Sequence, residues 1–315
     1  MDSLTLVFGI LAAIMLFLFG LQGFAQEVQA HGQQRLQTWF GRITRNRFSG
    51  FLLGAVTTAV VQSSSAVSSI TVALVGSGVI PFRQSLAVLF GANVGTTTTA
   101  WLVAFKLTAI GPFFIVIGGL LSILPGRAPV VGKALFYFGF IFFSLGLISQ
   151  ALEPLQDSPN FAAWLQVVES PLAGILAGMV ITLLVQSSSV TTGLIIVLVQ
   201  QGLLTAEIAI AVVIGANLGS TGTALLASLP LPREAYRAAV ANVLFNLGGL
   251  LLWAPFIPWL ADAIVGAMEN PAMAVATAHV LFNLSTAMIF LLLLKPFAAG
   301  FDRLMPVLPK SAPAR

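Results

Sequence analysis

Residues 50–100 of this chain align without a gap to residues 174–224, at an offset of 124, and 22 of the 51 paired positions are identical. No other feature constrains the fold as tightly, since each copy must build the same unit. Two runs survive almost whole. Gln62-Ser63-Ser64-Ser65 returns as Gln186-Ser187-Ser188-Ser189, and GANVGTTTTA (91–100) returns as GANLGSTGTA (215–224). The upstream segments correspond more loosely: an apolar span ending in Glu27 or Glu153, then a stretch bearing Trp39 or Trp164. Each copy reads as span, surface segment, QSSS segment, GAN segment, further span.

The surroundings of these motifs are apolar. The chain is 58% hydrophobic and 8% charged, against about 25% charged in an ordinary soluble domain. That composition implies an all-α polytopic membrane protein, a single membrane domain over residues 1–315 with no sizeable soluble part. The 14 Lys and Arg outnumber the 10 acids, which in a membrane protein reflects basic cytoplasmic loops rather than nucleic-acid binding. Cysteine is absent, which excludes disulfides, thiolate metal sites and cysteine catalysis. Residues 4–26 are too long for a signal-peptide core and lack a basic start, so they read as a retained span.

Topology turns on the QSSS segment. A helix over residues 50–80 would measure about 46 Å, well beyond a hydrocarbon core of about 30 Å. Split at QSSS, each arm is too short to cross, so a re-entrant helical hairpin fits both lengths. Ser170-Pro171, an N-cap with a first-turn proline, opens the second hairpin. Seven spans then remain, near 4–26, 84–107, 111–125, 132–152, 205–228, 236–254 and 273–294. With the N-terminus outside and the C-terminus cytoplasmic, every Lys and Arg except Lys106 falls inside, Arg127, Lys310 and Arg315 included. The outer loops hold Glu153, Asp157, Glu169, Glu207, Asp262 and Glu269. Full crossings at QSSS would instead set Arg127 and Lys133 opposite the basic segment Arg35–Arg47, against the positive-inside rule. That basic segment is expected to lie amphipathically on the cytoplasmic surface, against anionic lipid. Three true crossings in repeat one (4–128) place repeat two (129–254) the other way up, with 273–294 as an additional C-terminal span. Inverted repeats are typical of secondary transporters, whose sites lie near the midplane between the repeats.

Three consecutive serines on a helix diverge by about 100° each and cannot face one partner. Hydroxyls unpaired in hydrocarbon are costly, and irregular backbone survives at membrane depth only when buried or lining a cavity. Two opposed tips would bring Gln62, Ser63, Ser64 and Ser65 towards Gln186, Ser187, Ser188 and Ser189 to form one polar chamber. The GAN segments, each with two glycines and an amide, carry the expected mark of a discontinuous helix. Thr96, Thr97, Ser220 and Thr221 would then cap the second half-helix or turn inward. Half-helix N-termini suit an anion and the preceding carbonyls a small cation. The neutral oxygen set of Asn93, Asn217, Ser65, Ser189, Thr97 and Thr221 suits sodium as the coupling ion better than zinc or calcium. No other cofactor is implied.

Small polar residues also serve helix packing in membranes, but two matched QSSS copies, each followed by GAN, speak against packing alone. An intramembrane serine hydrolase would need one privileged serine with a base, whereas these serines come in symmetric sets, so no enzyme is expected. His279 in AHVLFN (278–283) matches Asn242 in ANVLFN (241–246), which favours a hydrogen-bonding role for the histidine. Asn246 and Asn283 are expected to pair across helices. A passive channel does not fit hairpins without a charged filter.

At QSSSA…GANVGTTTTA and QSSSV…GANLGSTGTA the chain resembles the sodium/phosphate cotransporter family, which includes the animal type II carriers and shorter bacterial members. The resemblance covers about residues 1–295 and implies that both QSSS runs bind phosphate and sodium. AHVLFN also looks like the family's recurrent His-and-Phe-Asn segment, with Asn242 in place of histidine in the first copy. Many bacterial relatives continue into a cytoplasmic regulatory domain of the PhoU type, which is not expected here because the sequence runs only to Arg315. The implied activity is sodium-coupled phosphate transport by alternating access in a bacterial inner (plasma) membrane; the alternative cargo is a dicarboxylate or sulfate. The expected partners are inorganic phosphate, sodium and lipid, with a homodimer held by the non-hairpin spans and no nucleic acid.

Overall fold

The computed structural model describes residues 3–43, 46–105, 107–126, 128–155, 158 and 170–306, with side chains omitted over 31–45. The described residues are helical, joined by turns. The helices are α1 (Ser3–Ile43), α2 (Arg47–Val61), α3 (Ser64–Gly76), α4 (Phe82–Ala104), α5 (Gly111–Ser122), α6 (Ala128–Leu152) and α7 (Pro171–Val185). They continue as α8 (Ser188–Gln200), α9 (Ala206–Ser228), α10 (Arg233–Trp253), α11 (Ile257–Ala267), α12 (Pro271–Leu292) and α13 (Leu294–Leu304). Expectations for Arg45, Lys106, Arg127, Asp157, Trp164, Glu169, Lys310 and Arg315, and for the side chains of Arg35, Trp39 and Arg42, lie outside the described residues.

Each QSSS run joins two short helices. Asn46 caps α2 by accepting from Phe48 N at 3.0 Å, and Ser170 caps α7 by accepting from Ala173 N at 3.1 Å, with Pro171 in the first turn. Where each hairpin lies is set by glycine contacts. A Cβ on Gly54 would stand 2.1 Å from Val88 O, one on Gly91 1.9 Å from Phe51 O, and one on Gly95 2.3 Å from Ala55 O. These partners advance in step, so α2 and α4 run side by side in the same direction with their backbones in contact. Small residues make that approach feasible. Helix α3 returns to the start of α4 through residues 77–81, so the first hairpin begins and ends beside the N-terminus of α4. The second copy is built alike: Gly178 abuts Val212, Gly215 abuts Ile175 and Gly219 abuts Met179, laying α7 along α9.

The last turns of α4 serve the other hairpin. Thr99 meets Ser189, and Gln200 Nε2 donates to Val103 O at 3.1 Å, so α8 follows α4 from its own tip outward. The two hairpins therefore approach Thr99 of α4 from opposite ends. Helices α1 and α6 pack antiparallel, with Gly20 against Ile141 and Gly23 against Tyr137.

Two expectations need correction. The GAN segments do not break: α4 and α9 are each continuous over 23 residues. Their glycines serve close approach to the hairpin arm, and Asn93 Nδ2 donates to Leu89 O at 2.9 Å, a bond that follows the helix instead of interrupting it. Thr97 and Thr221 likewise donate to Val94 O and Leu218 O within their own helices, at 2.7 Å each, and cap nothing. The expected span at 111–125 is a helix of only 12 residues, about 18 Å long at 1.5 Å per residue. Gly111-Pro112 opens it after a 3-10 turn, and Pro125-Gly126 follows its end. It lies antiparallel on α6 through Gly111–Gly139 and Gly118–Gly132 contacts. Six helical stretches among the described residues are long and apolar enough to cross a membrane.

Candidate functional site

The site begins with two residues in an unusual backbone state. Gln62 and Gln186 sit in the left-handed region at φ 57° and 58°, the non-glycine residues with positive φ among those described. That conformation costs a residue with a Cβ on the order of 1 kcal/mol, and such strain concentrates at functional positions. Each glutamine ends one arm, its N–H bonded at 2.7 Å to Thr58 O or Thr182 O. The next serine starts the other arm. Ser63 Oγ accepts from Ala66 N at 3.2 Å, and Ser187 Oγ from Val190 N at 3.4 Å. Four polar residues in a row are thus a C-cap, an N-cap and the first two helical positions.

Each tip consequently sets a helix C-terminus beside a helix N-terminus. The free carbonyls of one favour a cation and the free N–H groups of the other an anion. This is the pairing of termini expected at the GAN segments, and the hairpin tips supply it instead.

The tips meet reciprocally. Ser65 Oγ donates to Gln186 O and Ser189 Oγ to Gln62 O, each at 3.4 Å. Thr99 Oγ1 donates to Gln62 Oε1 at 2.8 Å and lies 3.3 Å from Ser189 Oγ. A cavity of about 390 Å³ opens beside this junction, and its polar lining is Gln62, Ser63, Gln186, Ser187 and Gln22 of α1. Among the described residues no charged side chain lines it. Ser64 and Ser188 are buried behind the tips. Among the described residues no group of three or more His, Cys, Asp or Glu side chains gathers anywhere.

The remaining expected residues stand elsewhere. Thr96, Thr97, Ser220 and Thr221 are buried in α4 and α9 and do not line the cavity. Asn93 and Asn217 tie their helices to α10 and α12. Asn93 Nδ2 reaches Asn242 Oδ1 at 3.4 Å, Asn217 Nδ2 reaches Asn283 Oδ1 at 3.3 Å, and Asn217 Oδ1 lies 3.2 Å from His279 Nε2. His279 therefore does hydrogen-bond, as its match to Asn242 implied, and Asn283 pairs across helices. Asn246 donates to Asn242 O in its own helix. The unbroken helices remove the carbonyls that were to hold sodium at the two GAN segments. The neutral oxygens that the tips gather are Gln62 O, Gln186 O and the hydroxyls of Ser65, Ser189 and Thr99.

Thr99 and Gln22 were missed. Thr99 carried a readable signal, because its copy is Thr223 and it lies one turn beyond Gly95. Gln22, one of two amides in an apolar span with Gln26, carried none.

The copies are not equally engaged. Gln62 is 8% exposed, whereas Gln186 is exposed along with Leu183, Leu184 and Val185 of its arm. Thr99 holds Gln62, while Thr223 Oγ1 is buried without a partner.

The profile described as Na+/Pi-cotransporter matches residues 16–150 and 147–254. YqeW of Bacillus subtilis (strain 168), named as an uncharacterised protein, is 31% identical over 298 residues, 94% of this chain and 97% of that one. YjbB of Escherichia coli (strain K12), named as a candidate inorganic phosphate export protein, is 31% identical over 297 residues. That match takes in 92% of this chain but 54% of YjbB, so the chain spans about half the length of that relative. Sodium-dependent phosphate transport protein 2C of Mus musculus is 36% identical over 154 residues, 47% of this chain and 24% of that protein. No solved structure matches the chain.

Proposed function

Because the chain belongs to the Na+/Pi-cotransporter family, we propose that it carries inorganic phosphate across a membrane, coupled to sodium, by alternating access at the hairpin tips. The observation that carries this reading is the reciprocal junction, Ser65 to Gln186 O and Ser189 to Gln62 O. It joins both repeats at one cavity whose termini suit ions of both signs. The names of relatives in Escherichia coli and mouse point to phosphate as the cargo.

Inverted repeats with re-entrant hairpins are supported by the opposite approach of the two hairpins to α4. An N-terminus outside and a C-terminus in the cytoplasm of a bacterial inner membrane are supported by charge, with α5, short as it is, returning the chain across beside α6 as a seventh crossing. Arg83, Arg233, Arg237, Lys295 and Arg303 gather at the end where α4 and α10 begin, while Glu207 opens α9 at the other end. Excess Lys and Arg mark the cytoplasmic side. Lipid covers the exposed apolar faces, and a second copy sits against the non-hairpin spans.

Phosphate in a cavity without Lys or Arg needs a counter-charge, because an unpaired ion in low dielectric is very costly. Sodium on the tip oxygens supplies it. Binding of the two ions is then reciprocal, each raising the affinity for the other by one factor. Radiolabelled phosphate should enter proteoliposomes only with a sodium gradient, and calorimetric phosphate affinity should rise with sodium replacing choline. Equal affinity with and without sodium sinks the coupling.

The unequal copies give alternating access a concrete form. In the opposite state Thr223 takes Gln186 and Thr99 releases Gln62. One hydrogen bond is worth about 1 kcal/mol, or roughly fivefold in an equilibrium. In a chain without native cysteine, Leu184→Cys can be labelled with an impermeant thiol reagent. Where the two states are comparably populated, Thr223→Val should raise the labelled fraction from about one half to about five sixths, and Thr99→Val should lower it to about one sixth. Identical labelling in both variants would remove the exchange.

A further inference from the structure

Away from the tips, the base of the first hairpin holds a cluster of charges that phosphate transport does not use. Arg83 of α4 and Arg237 of α10 converge on Asp302 of α13, each guanidinium 2.7 Å from a different carboxylate oxygen. Glu234 adds a contact to Arg237 at 3.0 Å. Arg237 is 4% exposed, its guanidinium lies 4.5 Å from the centre of the Phe82 ring, and its Nε has no partner. Helices α4 and α10 begin here at Pro81 and Pro232, neither of which caps its helix with a side chain. By contrast, Thr205 caps α9, the copy of α4. Beside the cluster is a cavity of about 400 Å³ reached by Arg83, Arg237, Glu234 and Asp302.

We infer that this corner is a second anion site, one that takes a phosphate group, and that the Asp302 carboxylate occupies it as a resident stand-in. The chemistry supports the exchange. Two guanidiniums and two uncapped helix N-termini make a strong field for an oxyanion. A carboxylate spends one oxygen on each arginine and leaves the Nε of Arg237 unmet, whereas a phosphate group has further oxygens to offer. Asp302 is also open to exchange from outside. It comes from a short amphipathic helix seated by Leu294, Ala298 and Phe301, and its own side chain is 42% exposed. Displacing it frees α13 from the base of the hairpin, so a phosphate group arriving at this end of the protein loosens that strap. Hydrogen bonds from Arg83 and Arg237 hold the Asp302 carboxyl below the ordinary aspartate range. A lowered pKa stabilises above the unfolded value and is lost as pH falls through the folded one, so the contact keeps its charge throughout the neutral range.

The test compares melting of the wild type, Asp302→Ala, and Asp302→Ala with Arg83→Gln, in detergent without added lipid, as inorganic phosphate is raised from zero. Phosphate at the tips stabilises all three alike, so the second site is read as the excess in Asp302→Ala. That variant should melt lower without phosphate and regain the loss as phosphate fills the vacated position. Adding Arg83→Gln should raise the phosphate needed about tenfold, as expected for losing one charged hydrogen bond. The excess should persist when Ser65 and Ser189 are also replaced by alanine, so this result stands or falls apart from the transport reading.

A second arm omits phosphate and compares nanodiscs of phosphatidylglycerol and phosphatidylcholine. Rescue by phosphatidylglycerol alone identifies a lipid headgroup as the source of the phosphate group. If Asp302→Ala does not fold, Leu304→Cys carrying an environment-sensitive dye, in an otherwise wild-type chain, reports movement of α13. Its signal should change with phosphate or phosphatidylglycerol, and Arg83→Gln should shift that response. Parallel phosphate curves for all three proteins, with no lipid effect, or an unresponsive dye, overturn the site.

Discussion

Phosphate uptake into proteoliposomes is expected to fall to background when Ser65 and Ser189 are both replaced by alanine, while the protein still inserts and purifies as a folded species. Each serine crosses to the backbone of the opposite tip, so each single variant removes one hydroxyl from the shared junction. A buried partner left unmet costs roughly 1–3 kcal/mol, or about five- to a hundred-and-fiftyfold in affinity. Both single variants should therefore be impaired, Ser189→Ala the more because its bond is buried while that of Ser65 is exposed, whereas a site belonging to only one repeat would spare one of them. Uptake at subsaturating phosphate, with a detergent melt to verify folding, measures both effects. Wild-type uptake by either single variant would dissociate that tip from transport.

Gly91→Ala and Gly215→Ala are expected to lower the yield and the melting temperature sharply, although each adds only one methyl group. A Cβ at Gly91 would lie 1.9 Å from Phe51 O, and one at Gly215 2.0 Å from Ile175 O. Both obstacles are backbone, so no side-chain rotation relieves them and a whole hairpin arm must move away. Overpacking of this kind costs roughly 1–3 kcal/mol and more where the neighbour is rigid. Gly50→Ala is the control, because its Cβ would meet Ala87 Cβ at an ordinary 3.4 Å. Yield after size exclusion and the melting temperature in detergent should separate Gly50→Ala from the other two by several degrees. Normal stability in Gly91→Ala would mean that α2 does not lie on α4 as described.

The hairpins and their meeting were legible from Gln62–Ser65 and Gln186–Ser189, because charge-free polarity in an apolar duplication has few physical outlets. Gly91 and Gly95 were misread for a physical reason. Glycine at membrane depth signals either a broken helix or a close neighbour, and the choice depends on what packs there. Phe51 and Ala55, some 40 residues away in sequence, settle it in favour of a neighbour. Once the helix is continuous, Thr97 and Thr221 bond back to their own helices, and Asn93 and Asn217 serve as contacts to α10 and α12. Thr99 could have been found from its copy Thr223. Gln22 could not, since what gives it a role is the position of α1 beside both tips.

The unbroken course of α4 has a mechanical consequence. The first hairpin lies along this rod as far as Gly95 and the second along its last turns, with the tips meeting at Thr99. A jointed rod could bend there and let one gate move alone. A stiff one behaves as a lever whose fulcrum is the stretch from Gly95 to Thr99. When one end swings outward the other must swing the opposite way. In the proposed carrier, closing the passage on one face and opening it on the other are then a single stroke, and leakage with both gates open is opposed by the stiffness of a helix.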